Sequence, residues 1–435
     1  MAETTYATQR LDHLGIVAGI CWEIDLAGQM DRIVGPTDRQ VSVGEAVQAM
    51  VLNALGFVSR PLCLTPEFFA NKPLERLLRP GLTAEMLNGE SLGRALDILY
   101  EAGPTEIFAQ VASHALRLWG IRHRFVHLDT TSLSVEGEYE GPEEPGVVHI
   151  THGYSRDERP DLKQVVVAWL TSYRSALPLW IQALEGNASD THTFQVVEAY
   201  IAQLQEGEMP YLVADRALYS EDNLQRLAGV RWLTRVPERI GLARALIAEI
   251  TAEEMWSAGQ EGYRYLELCT AYGGVGQRWL VVWSEQAERR ERATLQKRVS
   301  QEREEAEQAW KSLLRHEFPS LEAAEEAVGR LTGEWAYHQA EVRYRQVTHY
   351  SQRGRPGPGA APQRVGWRLG GKVVERCEAI AQAERGLGKF LLATHERNEE
   401  RLPAEEMLLA YKGQGVGPER GFRFLFPMKS SAPRR

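Results

Sequence analysis

Cysteine, long apolar runs and net positive charge are all scarce in this chain of 435 residues. Its four cysteines are far apart and form no CxxC pair, which argues against both a disulfide framework and a thiolate metal site. The start of the chain lacks the basic-then-apolar pattern of a secretion signal, and no apolar run approaches the ~20 residues that cross a bilayer. The sequence therefore predicts a cytoplasmic protein with no membrane partner.

The charge balance is acidic over most of the chain and basic near its end. The net charge of -9 argues by itself against a nucleic-acid partner, because binding to a polyanion needs lysine and arginine to replace its counterions. From Ser351 to Arg435, however, 16 lysines and arginines stand against 9 acidic residues. This last fifth of the chain is therefore the segment whose charge suits contact with DNA.

The length exceeds that of one ordinary hydrophobic core, and the residue patterns divide the chain into four stretches. Residues 1–120 repeat apolar side chains at three- and four-residue spacing, so they predict a helical N-terminal domain, with Ser42 and Ser91 as helix caps. We expect this domain to bind DNA ends. The other stretches are the first part of an α/β core, an insertion and the last part of the core: residues 121–237, 238–385 and 386–435.

The core changes at residue 124 from helical spacing to β-branched residues with turn residues between them. Three consecutive antiparallel strands are predicted over residues 124–135, 147–154 and 164–173. A helix, a strand, a helix and a strand follow, over residues 190–205, 211–214, 220–227 and 231–236. This order is typical of an RNase H-like mixed sheet flanked by helices, so the predicted fold class is α/β, of the mixed α+β kind.

The insertion combines strand patterns with charged helical sequence. A helix, two strands and a long solvated helix are predicted over residues 243–255, 263–272, 277–284 and 285 to about 330. Ser351 to Pro362 is rich in glycine and proline and predicts a linker without regular structure. A strand over residues 389–394 and a helix over residues 403–411 then return to the core.

Two aspartates end apolar runs in predicted core strands, and a glutamate follows late in the chain. Asp129 follows Phe125-Val-His-Leu, Asp215 follows Tyr211-Leu-Val-Ala, and Glu419 precedes Arg-Gly-Phe-Arg-Phe. Carboxylate oxygens suit two Mg²⁺ or Mn²⁺ ions that cleave a phosphodiester, so these three carboxylates are the candidate catalytic and metal-binding residues. An aspartate at a strand end is, taken alone, more often a turn former or a helix cap. The order Asp, Asp, Glu across such a core favours the metal site.

His127 precedes Asp129 by two residues, so strand alternation places both side chains on one face of the sheet. Two interpretations stay open for this histidine. It either forms a hydrogen bond that supports the site or is an ordinary buried core histidine, and the second is the simpler prediction.

Several short motifs are spread over nearly the whole chain. The most specific is Gly153-Tyr-Ser followed by Arg159-Pro-Asp-Leu-Lys-Gln. The others are Val51-Leu-Asn-Ala-Leu-Gly-Phe, Leu92-Gly-Arg-Ala-Leu-Asp, Leu128-Asp-Thr-Thr-Ser, Ala214-Asp-Arg-Ala-Leu-Tyr-Ser and Glu419-Arg-Gly-Phe-Arg-Phe-Leu. Together they resemble the DDE-type transposases of bacterial insertion sequences, in the group with an RNase H-like core, a β-containing insertion and a helical N-terminal domain of unknown function.

This resemblance implies metal-dependent cleavage at transposon ends and strand transfer into target DNA. It implies double-stranded DNA as the partner, both at the terminal inverted repeats and at the target. It also implies a homodimer within a synaptic complex, in a nucleoid-associated prokaryotic protein.

One group of these transposases surrounds the glutamate with tyrosine, arginine and lysine, and this chain departs from that pattern. Tyr411 lies eight rather than seven residues before Glu419, Gln414 stands near the arginine position, and Phe426 occupies the lysine position. Pro427 predicts an early end to the helix, and we expect an altered or truncated C-terminus. Two alternatives therefore stay open: a remnant that binds DNA without cutting it, and a metal-dependent RNase H-like nuclease.

Basic side chains in and near these motifs are candidate contacts for DNA phosphates. Arg353 and Arg355 lie in an Arg-Gly-Arg-Pro segment that resembles a minor-groove hook, although a plain linker is the simpler interpretation. For Arg159, Lys163 and Arg216, ordinary surface charge or pairing with core carboxylates is the simpler interpretation. Arg420 and Arg423 are predicted on the helix of Glu419, where they could hold the phosphate backbone or Asp129, and a role on the catalytic side is favoured.

Overall fold

A computed structural model describes most of the chain, namely residues 8–140, 146–155, 158–188, 190–204, 209–257, 259–351 and 362–415. The chain divides into two compact units. The first comprises Met1–Thr234 with Leu409–Arg435, and the second comprises Arg235–Leu408. The fold is mixed α/β with a helical N-terminal region, which confirms the fold class predicted from the sequence.

The N-terminal region of the first unit is helical because apolar residues recur at helical spacing behind clear start signals. Ser42 and Glu45 form a capping box, in which the Ser42 hydroxyl accepts from the Glu45 amide at 3.1 Å and the Glu45 carboxylate accepts from the Ser42 amide at 2.9 Å. Leu52 is fully buried behind this cap, which stabilises the fold by about 1.5–3 kcal/mol. The helices are α1 (Leu14–Glu23), α2 (Leu26–Val34), α3 (Val43–Ala54), α4 (Thr65–Phe69), α5 (Leu74–Leu77), α6 (Gly89–Glu101) and α7 (Pro104–Leu118).

The predicted cap at Ser91 is wrong by three residues. Asn88 caps α6, because its side-chain oxygen accepts a hydrogen bond from the Ser91 amide at 2.9 Å. Asparagine and serine are both good helix caps, and the sequence offered both within one turn.

The sheet of the first unit combines an antiparallel meander with two parallel strands, each of which is preceded by a helix in the chain. Strands β1, β2 and β3 are successive antiparallel neighbours, whereas β4 is parallel to β1 and β5 is parallel to β4, in the order β3-β2-β1-β4-β5. This is the strand order of an RNase H-like core. Its elements are β1 (Phe125–Val135), β2 (Lys163–Ser172), β3 (Pro178–Leu184), α8 (Asp190–Ala202), β4 (Tyr211–Ala214), α9 (Glu221–Arg226) and β5 (Trp232–Arg235).

The strand predicted over residues 147–154 is wrong. This segment forms only an isolated bridge between Thr151 and Gln164, and the third strand of the meander is β3. Gly153 lies so close to Gly186 that a Cβ would fall 2.0 Å from the Gly186 carbonyl oxygen, so the segment crosses the ends of β2 and β3. The true third strand starts at Pro178, and its proline obscured the strand pattern.

The second unit has two groups of strands and five α-helices among its described residues, the last of which continues into the first unit. Strands β12, β8, β7 and β6 are antiparallel neighbours in that order, and β10, β11 and β9 form a separate three-stranded sheet. The chain returns to the first unit within α14. The elements are α10 (Gly241–Glu249), β6 (Trp256–Ser257), β7 (Tyr263–Tyr272), β8 (Val275–Ser284), α11 (Glu285–Leu313), β9 (Glu317–Phe318), α12 (Leu321–Thr332), β10 (His338–His349), β11 (Arg364–Glu375), α13 (Cys377–Arg385), β12 (Lys389–Thr394) and α14 (Ala404–Lys412).

The long charged helix predicted up to residue 330 is two helices. Helix α11 ends at Leu313, and α12 starts after Pro319 and Ser320, whose hydroxyl caps it by accepting from the Ala323 amide at 3.1 Å. The sequence also failed to predict β10, β11 and α13. None of the helices in the described part of the chain is long and apolar enough to cross a membrane.

Candidate functional site

The two predicted catalytic aspartates lie at matching positions of adjacent parallel strands. The register of β1 and β4 pairs His127 with Val213, and Asp129 and Asp215 each stand two residues further on. Neighbouring strands are about 4.8 Å apart, and residues two apart share a face. The topology therefore brings these two carboxylates together at one end of the parallel strands.

Both carboxylates are oriented by the backbone that follows them. Asp129 Oδ1 accepts a hydrogen bond from the Thr130 amide at 2.8 Å, and Asp215 Oδ1 accepts one from the Arg216 amide at 2.7 Å. The Asp215 carboxylate thereby caps a short 3₁₀ helix, and the Thr234 hydroxyl on β5 donates to its main-chain carbonyl at 3.0 Å. The cap uses one carboxylate oxygen of Asp215, so this role is compatible with that of a cation ligand.

His127 is fully buried on the face of β1 that carries Asp129. Burial lowers the pKa of His127 to about 4, while the hydrogen bond to Ala410 opposes this shift, so the imidazole is neutral near pH 7. Its Nε2 lies 2.7 Å from the Ala410 carbonyl oxygen. A carbonyl can only accept, so Nε2 carries the proton and donates it to Ala410 in α14.

The end of α14 is seated directly on this part of β1. A Cβ at Gly413 would come within 2.5 Å of Tyr173 Cε2 and 3.0 Å of His127 Cε1, so only glycine fits there without a shift. Glu419 follows Gly413 by six positions, and six extended residues span at most about 20 Å. Asp129 is about 7 Å from His127 along the strand, which is within that reach.

Five of the predicted site residues lie outside the described residues, and the structure places none of them. They are the third carboxylate and the four arginines of the linker and the chain end: Glu419, Arg420, Arg423, Arg353 and Arg355.

The donor set of the described part of the site suits hard cations. Asp129 and Asp215 offer carboxylate oxygens, which Mg²⁺ and Mn²⁺ prefer to nitrogen or sulfur ligands. Within the described ranges, no three His, Cys, Asp or Glu side chains lie close enough together to hold a metal ion. Two of the three carboxylates predicted to bind metal, Asp129 and Asp215, thus lie among the described residues.

The described arginines and lysine that were predicted to contact DNA have different surroundings. Arg159 forms a two-fold hydrogen-bonded ion pair with Asp161, at 2.9 and 2.7 Å, which raises its pKa. Lys163 donates to the backbone carbonyls of Glu138 and Tyr139. Arg216 is exposed, and no ion pair joins it to a described residue.

Gln164 has a structural role that the sequence did not reveal. Its buried side-chain amide donates to the Gly186 carbonyl at 2.7 Å and to the Tyr154 carbonyl at 3.3 Å. It therefore joins the Gly153-Tyr154-Ser segment to the β2–β3 hairpin. Its place at the end of the Arg-Pro-Asp-Leu-Lys-Gln motif was the only signal for this role.

Comparisons with known proteins match part of the chain. A family model described as a domain of unknown function, DUF4277, matches residues 6–113. None of the curated proteins matches the chain.

Transposase complexes are among the solved structures that match. A piggyBac transposase in a synaptic complex with hairpin DNA is 8% identical with a TM-score of 0.31, over 61% of this chain and 58% of that one. The Mos1 strand transfer complex is 13% identical with a TM-score of 0.18, over 53% of this chain and 78% of that one. This chain thus spans 58% of the length of the piggyBac chain. At TM-scores this low, the likeness assigns neither fold nor activity.

Proposed function

We propose that this chain is a DDE-type transposase of a bacterial insertion sequence, which cuts DNA at the transposon ends and transfers the cut strands into target DNA. The alignment of Asp129 with Asp215 in adjacent parallel strands of an RNase H-like order carries this proposal. A single aspartate on a core strand is common. Two aspartates at matching positions concentrate negative charge, so the phosphates of DNA can approach them only when cations lie between the carboxylates and the phosphates.

In this proposal, Asp129, Asp215 and Glu419 hold two Mg²⁺ or Mn²⁺ ions. When bound, such ions neutralise the charge that develops on the attacking and leaving oxygens of a phosphodiester. The contact between His127 and Ala410 supports the proposed ligand set, because it seats the end of α14 near Asp129.

Other residues of the chain bind and orient the DNA in this proposal. Cleavage joins a water oxygen to phosphorus and breaks one P–O ester bond, and strand transfer does the same with a DNA 3′-hydroxyl. Arg216 is the described cation nearest in sequence to a proposed ligand, and we assign it to a phosphate. The undescribed candidates are assigned likewise: Arg353, Arg355, Arg420 and Arg423.

The Arg159 and Lys163 candidates are assigned a weaker role. Arg159 already pairs with Asp161, and Lys163 already binds backbone carbonyls, so a contact with DNA would have to compete with these interactions.

The proposed partners of the protein are the terminal inverted repeats and target DNA, bound by a homodimer in the cytoplasm of a prokaryote.

Replacing one ligand tests the proposed activity. Asp129→Asn should lower Mg²⁺-dependent cleavage of the element's own ends by about 10³-fold, since each ~1.4 kcal/mol of lost charge stabilisation costs a factor of ten in rate. DNA affinity should stay within about two-fold, as measured by a gel-shift titration on the same ends. Asp38→Asn, at an exposed position between α2 and α3, is the matched control and should cleave like the parent.

Three outcomes separate the candidate functions. Equal cleavage by Asp129→Asn and the parent would refute the assignment of the site. A parent that binds the ends but never cuts them would support the DNA-binding remnant instead. Cleavage without preference for the inverted repeats would support the nuclease.

A further inference from the structure

Strands β10 and β11 form a long antiparallel ribbon whose two faces differ in chemistry. They pair continuously from His338 opposite Glu375 to His349 opposite Arg364. Side chains alternate between the faces of such a ribbon, so each face takes every second residue of each strand.

The inner face of the ribbon is apolar and packs on helices of the second unit. Val342 and Leu369 belong to a hydrophobic cluster with Trp310 of α11 and Val328 of α12. Because the inner face of the ribbon packs against this core, the outer face is exposed to solvent.

The outer face is strongly basic. Its basic side chains are Arg343, Arg345, His349, Arg364, Arg368 and Lys372, and its carboxylates are Glu341 and, from β9, Glu317.

Both carboxylates already bind basic side chains of this face. Glu317 binds Arg364 and Arg368, each at 3.2 Å, and His349 at 2.7 Å. Burial works to raise the pKa of Glu317, but the hydrogen bond and charge of His349 and the charge of Arg364 outweigh it, and the pKa is lowered.

Two arginines on this face form no ion pair with a described carboxylate. Lys372 lies 3.4 Å from Glu341, which accounts for the second carboxylate. Arg343 and Arg345 are exposed and form no ion pair with any residue of the described ranges. The outer face therefore carries an uncompensated positive charge.

Repulsion between like charges on the outer face destabilises the ribbon. Arg345 stands directly opposite Arg368, although like charges in cross-strand pairs destabilise a sheet. Gly370, opposite Arg343, faces no crowding, since a Cβ there would meet only Arg343 atoms at 3.9–4.0 Å. The absence of a side chain at this position leaves Arg343 open to a bulky anionic partner.

We propose that the outer face of the β10–β11 ribbon binds double-stranded DNA, with Arg343 and Arg345 contacting backbone phosphates. The proposal rests on the proposed function only in taking DNA as the partner. A two-stranded ribbon, with strands about 4.8 Å apart, fits the major groove of B-DNA, which is about 12 Å wide. Arginine suits this role because its planar guanidinium binds phosphate through paired hydrogen bonds.

The test measures binding of the full chain to a 30-base-pair duplex of random sequence at several salt concentrations. Arg343→Gln with Arg345→Gln should reduce the slope of log affinity against log salt by about 1.8, and weaken binding about ten-fold at 0.1 M salt. Arg289→Gln with Arg303→Gln is the matched control, because it removes the same charge from α11, where each arginine pairs with a glutamate one turn away. The control should keep the parent's slope and affinity to within about two-fold.

A second variant separates DNA contact from a structural role. Arg345→Thr relieves the repulsion from Arg368 and introduces a good strand former, so it should raise the midpoint of thermal unfolding while lowering DNA affinity. A purely structural arginine would instead lose stability on replacement.

The outcomes also separate this inference from the proposed function. Parent, control and double variant binding with the same slope would overturn the ribbon surface and leave the transposase proposal standing. A parent that does not bind the random duplex would also overturn the ribbon surface, and one that binds neither this duplex nor the terminal repeats would overturn both proposals.

Discussion

At the scale of single residues, His127 joins two parts of the first unit that are far apart in the sequence. Its imidazole donates to the carbonyl of Ala410, which lies 283 positions later. The two-residue repeat of a strand correctly placed His127 beside Asp129, but its partner could not be predicted, because no local pattern encodes a contact over such a separation.

Replacing His127 should therefore impair the site indirectly, through the lost contact with Ala410. His127→Leu leaves the Ala410 carbonyl without its donor, which costs about 1–3 kcal/mol, and should lower the rate of cleavage while DNA affinity stays near that of the parent. His127→Gln keeps an N–H donor and should recover part of both stability and rate. Single-turnover cleavage, gel-shift titration and urea unfolding of the two variants check this.

The comparison between the two variants decides the role of the histidine. A rate that falls equally in both would mean that the imidazole itself is needed. A rate unchanged in His127→Leu would show that this contact does not position the site.

At the scale of elements, a carboxylate on α11 holds the start of the ribbon in place. Glu302 accepts from the amides of Ala336 and Tyr337 at 3.1 and 2.8 Å, and lies 3.0 Å from His338 Nδ1. Burial works to raise the pKa of Glu302, but these hydrogen bonds outweigh it, so the pKa lies below the ordinary value of 4.5.

The sign of the resulting pH dependence follows from that lowered pKa. The ionised carboxylate stabilises the fold above about pH 4.5, and this stabilisation is lost as the pH falls through the folded-state pKa of Glu302. Glu302→Gln should lower the free energy of unfolding by roughly 2 kcal/mol at pH 7. The difference from the parent should shrink towards pH 3, in urea unfolding monitored by tryptophan fluorescence.

An exposed neighbour provides the control for this prediction. Glu304→Gln removes the same charge from α11 at an exposed position and should change stability by less than about 0.5 kcal/mol. A constant difference between the parent and Glu302→Gln from pH 7 to pH 3 would contradict the assigned role of the carboxylate.

Sequence patterns predicted some elements of this chain well and missed others for physical reasons. The strands that carry Asp129 and Asp215 were found because they are apolar runs bounded by turn residues. The ribbon was missed because arginine and glycine occupy its outer face, whereas strand prediction relies on β-branched and aromatic residues. The break between α11 and α12 was missed because charged residues continue on both sides of Pro319.

At the scale of the whole molecule, the net charge of -9 hides where the chain can meet a polyanion. The outer face of the ribbon is basic, whereas Asp129 within β1 and Asp215 directly after β4 are acidic. The proposed function needs both, because the first attracts DNA and the second repels it unless divalent cations are bound.

Removing divalent cations should therefore separate binding from cutting. In EDTA, cleavage of the element's ends should stop, while duplex binding through the basic surfaces should weaken by less than about ten-fold. Adding back Mg²⁺ or Mn²⁺ should restore cleavage, as followed on a denaturing gel beside a filter-binding assay. Cleavage that persists in EDTA would exclude the proposed chemistry.

The interleaving of the two units along the chain has a consequence for synthesis in the cell. The first unit contains Met1–Thr234 and Leu409–Arg435, so β1 must wait for Ala410 until the whole second unit has been translated. At about 5–20 residues per second, a ribosome needs roughly 10–35 s for that stretch. Under the proposed function, we expect nascent chains to leave DNA uncut until the segment that contains Ala410 has been synthesised.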